Sequence, residues 1–150
     1  MRAFALMLGA IGGLAAFASR AEPVATRSPR VNYMVNCQGC HLPDGRGLPG
    51  KVPAMQGFLA SFLEVPGGRE YLARVPGVAN STLGDADLAA LMNWLILEMG
   101  PAVSVDFTPY SAQEIGALRK DRLQDVNSAR AMLVAQMPAG SLSARQPGKR

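Results

Sequence analysis

Cys37-Gln38-Gly39-Cys40-His41 contains both cysteines and the only histidine of a 150-residue chain. That concentration limits what the chain can fold into. A small body with a thin apolar core needs a staple or a cofactor. Here the thiols and the imidazole that could provide one all lie within this one segment. A framework of several disulfides is excluded. A structural zinc site asks for four ligands, more than two cysteines and one histidine supply. A thioredoxin-like redox pair would start a helix within a βαβ pattern, and no such pattern is visible. A bare Cys37–Cys40 disulfide would leave His41 without a role. The C-x-x-C-H spacing fits haem attachment. Two thiols three positions apart meet the two vinyl groups on one porphyrin edge, and the next residue carries an imidazole to the iron. Cys37 and Cys40 are therefore the candidate cofactor-binding residues and His41 the candidate axial iron ligand, for one covalently bound haem c per chain.

The N-terminus agrees with that chemistry. Met1-Arg2, an apolar stretch from Ala3 to Phe17 and the small residues around Ala18 to Ala21 read as a signal peptide over 1–21. The expectation is an exported, periplasmic protein with no membrane span once the leader is removed. Residues 22–30, with Pro23 and Pro29, read as a linker. The formal net charge is +4. Without Arg2, Arg20, Arg145, Lys149 and Arg150, the 15 basic residues fall to 10 against 11 acidic ones, so the interior is nearly neutral. No basic stripe points to nucleic acid. The basic end reads as a solvated, flexible tail.

Hydrophobic spacing places the helices. Val31 to Cys37 suggests a short helix running into the motif. Pro43, Gly45, Gly47, Pro49, Gly50 and Pro53 make 42–53 a turn-filled loop. Residues 56–64 predict a helical turn or two, and Arg69 to Arg74 a short helix that stops before Pro76-Gly77. The strongest helix is 85–99: Leu88, Leu91, Met92, Leu95, Ile96 and Met99 form a stripe, and Asp85 and Asp87 suit its N-terminus. Beyond residue 100, Ser111 with Glu114 fits a capping box for a helix to about Lys120, and Asp125 to Met137 is a second amphipathic candidate. The division expected is 31–100 as the haem domain and 101–150 as a helical extension with its flexible tail.

Together these residues resemble the class I (monohaem) cytochromes c, from about Val31 to Met99. Tyr33 precedes Cys37 by four positions, as an aromatic often does in that family's first helix. His41-Leu42-Pro43-Asp44-Gly45-Arg46-Gly47 is similar to the loop after its haem motif, and Pro53-Ala54-Met55-Gln56-Gly57 to its P-x-L-x-G segment. Leu83 to Leu97, with Trp94, resembles its last helix. The resemblance implies a small all-α fold around one covalently bound haem. It also implies that the Pro53 carbonyl receives the hydrogen bond of the ligand imidazole. The family usually supplies a methionine sulfur to the other face of the iron, from a loop before the last helix. Here residues 74–82 contain no Met, so the sixth ligand is left unassigned and a lowered reduction potential is expected.

The expected function is single-electron transfer between a periplasmic dehydrogenase or other redox partner and an oxidase or another cytochrome. The protein is read as a carrier and not as an enzyme: no carboxylate pair or Ser/His/Asp set is placed for catalysis. The alternative is a haem protein whose open distal iron site binds a small gaseous ligand. Arg46, Arg69 and Arg74 are read either as partners of haem propionates or as surface charge. Trp94 is read as packing.

Overall fold

A computed structural model describes residues 22–100 and 107–138. The expected leader 1–21, residues 101–106 and the basic tail from 139 lie outside the described residues. Seven α-helices and one 3-10 helix are present among the described residues. The extended structure there is one isolated bridge, between Leu48 and Val52. The fold of the described residues is all-α, as the resemblance implies.

Helix α1 (Pro29–Asn36) starts where Ser28 Oγ accepts from the Val31 N–H, with Pro29 at a position that needs no donor. Cys37 ends it, and α2 (Gln38–His41) follows as a single turn carrying the rest of the motif. The Pro/Gly-rich loop then runs to a 3-10 helix (Leu59–Glu64), α3 (Gly68–Arg74) and α4 (Pro76–Ala79). Sequence reasoning reads Pro76-Gly77 as a break, yet a four-residue helix forms there, because proline is favoured in a first helical turn. Helix α5 (Asp85–Met99) buries Leu88, Leu91, Met92, Leu95, Ile96 and Met99, the whole stripe expected of it. Helices α1 and α6 (Ala112–Leu118) both pack on α5, and α7 (Val126–Gln136) reaches α3.

Tyr110, Ile115, Leu133 and Met137 belong to the same buried cluster as Tyr33, Phe62, Leu88 and Ile96. Residues 107–138 thus contribute to the core that α5 organises. Polar ties reinforce this. Tyr110 and Asn93 exchange two hydrogen bonds at 2.7 and 3.0 Å. Arg74 Nη2 pairs with Asp121 at 2.5 Å, and the Leu123 N–H donates to the Arg74 carbonyl.

Asp87, read from the sequence as a helix-start charge, also holds the chain before α1. Its carboxylate accepts from the Thr26 hydroxyl (2.7 Å), the Thr26 N–H (2.8 Å) and the Arg27 N–H (3.0 Å). The Thr26 hydroxyl bond, followed by the Arg27 N–H, holds the Asp87 carboxyl below its ordinary value. A depressed folded pKa gives stability that is present above the unfolded value and lost as pH falls through the folded one. Hydrogen exchange should therefore show Thr26 and Arg27 amides protected at neutral pH, with protection falling below about pH 4. In Asp87→Ala the same amides should exchange freely at every pH.

Candidate functional site

The motif sits at the junction of α1 and α2. Backbone bonds from Cys40 and His41 N–H to the Cys37 carbonyl, at 3.1 and 3.0 Å, wind the three residues into one turn. Both thiols are free; Cys40 is exposed and Cys37 half-buried. Burial, then the neighbouring Cys40, pushes the Cys37 thiol up. Leu42, directly after the motif, is the one described non-glycine residue with positive φ, at 59°. Such a backbone costs of order 1–3 kcal/mol and persists only where its surroundings hold it. Tyr33 holds it from α1: its hydroxyl donates to the Leu42 carbonyl and lies 3.4 Å from that of His41. Tyr33 is buried, and its ring packs 5.8 Å from Trp94 of α5. Trp94 therefore packs as expected, and helps seat the residue that shapes the motif's exit.

His41 Nδ1 is shut away from solvent without a partner in hydrogen-bond geometry. The Pro53 carbonyl nevertheless lies close enough to favour the protonated ring, a near approach and not a formed bond. Burial is the larger influence and lowers the His41 pKa, so the imidazole is neutral at neutral pH. Pro53 is carried there by the loop. The Gly45 carbonyl accepts from the Met55 and Gln56 N–H groups at 2.8 and 3.2 Å. Gly47 lies flat against Val52 and Pro53, with no room for a Cβ. Met99, at the end of α5, backs this loop: its Sδ would lie 2.5 Å from a Cβ at Gly45, and its carbonyl accepts from the Gly57 N–H at 2.7 Å.

The three arginines read as propionate partners or surface charge have protein partners. Arg46 pairs with Asp44 at 2.5 Å on the surface. Arg69 makes a two-pronged pair with Glu114 (2.6 and 2.7 Å), donates to the Thr108 carbonyl and lies 4.0 Å over the Tyr110 ring. Arg74 is held by Asp121. Carboxylates and carbonyls of the chain already meet these guanidinium groups. Glu114, expected to close a capping box, serves Arg69 instead, and only the Ser111 half of the box forms. Sequence reasoning missed Arg119. Its guanidinium donates to the carbonyls of Ser81 and Leu83 and pairs with Asp85 at 3.1 Å, pinning the segment between α4 and α5. No spacing rule links position 119 to position 81.

A buried, orphaned Nδ1 on a neutral imidazole beside two free thiols three positions apart is a donor set that suits haem c. No family model matches the chain. It is, however, 35% identical over 106 residues to the cytochrome c-552 of Thermus thermophilus, a match covering 58% of this chain and 81% of that protein. A second cytochrome c-552, from a particular strain of the same species, is equally similar over 72% of its length. The chain belongs to the monohaem class I c-type cytochromes. A cytochrome of this class carries one covalently bound haem c and is an electron carrier, not an enzyme. Among the described residues, no helix is long and apolar enough to cross a membrane.

Proposed function

We propose that this cytochrome c works in the periplasm after removal of residues 1–21, with Cys37 and Cys40 in thioether bonds to haem and His41 as axial ligand. In this reading residues 31–100 are the haem-bearing part and 101–150 an extension, of which 107–138 buttress it. The observation that carries the proposal is the His41 imidazole: neutral, with Nδ1 buried toward Pro53, which leaves Nε2 as its donor for a metal. Haem c, when bound, supplies a one-electron ferric–ferrous couple. The chain's part is to hold the ring tautomer, exclude water from it and present the adjoining surface to a partner. That partner is a redox protein: a periplasmic dehydrogenase on one side, an oxidase or another cytochrome on the other. Val31, Met34 and Val35 support such contact, since they stand exposed at i, i+3, i+4 spacing on α1 just before the motif.

The experiment is intact-mass analysis of protein exported with a haem c maturation system. The processed chain should carry one haem that survives denaturation. Cys37→Ala with Cys40→Ala should lose it completely, and either single variant should lose most of it. A processed wild-type chain without added porphyrin would overturn the proposal.

A further inference from the structure

An iron held by His41 has a second axial position, and the donors this chain has for it can be counted. His41 is the only histidine, and the proposed thioethers take both cysteines. Lys51 and Lys120 are exposed and Tyr71 stacks on Phe62, which leaves thioether sulfur, with six methionines beyond the expected leader. Met55 and Met99 both sit on the loop that brings Pro53 to His41: Met55 through its N–H on Gly45, Met99 through its Sδ against Gly45. Both are engaged against that loop. Met92 is 2% exposed inside the core where α5 meets its neighbours. Met34 and Met132 point outward, 54% and 63% exposed. Met137 is buried at the end of α7 in the cluster with Leu133.

The segment between α3 and α5, Val75 to Leu83, brings neither sulfur nor imidazole, and its one amide side chain, Asn80, is exposed. It is also not free to rearrange and admit one. The Val75 carbonyl accepts from the Val78 and Ala79 N–H groups, both at 2.9 Å, which closes α4. Arg119, with only 14% of its side chain exposed, then ties the Ser81 and Leu83 carbonyls to Asp85. Charge-assisted bonds of this kind are among the stronger ones a chain makes.

We propose that the iron position opposite His41 receives no side chain of this protein and is an exchangeable binding site for neutral diatomic π-acceptors, carbon monoxide or nitric oxide. The inference rests on the reading of His41 as axial ligand and deepens it. It gives the electron carrier a ligand-responsive iron, because a diatomic bound to the ferrous form shifts the population toward that form.

The test uses the full-length holoprotein and carbon monoxide. The oxidised spectrum should lack the sulfur-to-iron charge-transfer band of thioether ligation. On reduction, one CO per chain should bind with a full shift of the Soret band, at a rate proportional to CO concentration and without a plateau. Met132→Leu should leave that rate unchanged. A thioether band in the wild-type spectrum, or a CO rate that saturates because a protein ligand must first leave, would overturn this inference and leave the proposed function standing. Absence of covalent haem from the wild-type chain would instead defeat the proposed function, and this inference with it.

Discussion

Gly47→Ala is expected to cost about 3 kcal/mol or more, read as a fall in the denaturant midpoint at unchanged slope. The reason is local and steric. A Cβ at Gly47 would fall on the Val52 carbonyl oxygen and the Pro53 carbonyl, and both neighbours are backbone, which has no rotamer to give. The loop must open. Pro53 then retreats from His41, and the only carbonyl favouring a proton on that buried ring is lost. In the holoprotein, an imidazole without that carbonyl is a weaker donor, so the reduction potential should rise. Gly39→Ala is the control. It lies inside the motif itself, yet a Cβ there meets nothing within 4 Å. It should leave both midpoint and potential unchanged.

The second large effect concerns the extension. Ile115, on α6, is 0% exposed in the cluster that α5 organises. Ile115→Ala should cost about 3 kcal/mol, from lost transfer free energy and the cavity left behind. Leu97→Ala, on the outward face of α5 at 62% exposure, should stay within about 0.5 kcal/mol. A single unfolding transition for Ile115→Ala, lowered at every probe, is the expected result, because α6 and α5 share one core. Two separated transitions would show instead that residues 107–138 fold apart from the rest.

Several features of the site are legible in the amino-acid sequence. The motif names its own chemistry because covalent attachment needs two thiols and an imidazole at fixed spacing. Helix α5 is legible because an apolar stripe running through fifteen residues has no other way to bury itself. The roles of Arg69, Arg74 and Asp87 are not. A guanidinium or carboxylate near a candidate site looks the same in sequence whether it faces a ligand or another part of the chain. Arg69 meets Glu114 from 45 positions away, and Asp87 meets Thr26 from 61. Such pairings are decided by how helices cross, and no local pattern encodes them. The strained Leu42 is equally silent, since nothing in His41-Leu42-Pro43 announces a positive φ until Tyr33 is seen holding its carbonyl.

The amino-acid order alone determined which atoms are able to bond a porphyrin, and that no second histidine or third cysteine exists to join them. Those are facts of composition and short-range spacing, carried by covalent connectivity. Only the tertiary structure decided that Met99 backs the loop beneath His41, that Arg119 locks the segment before α5, and that residues 107–138 fill the common core. Each of those depends on the packing of surfaces distant in sequence, where the free energy of burial and of charge pairing is settled by shape.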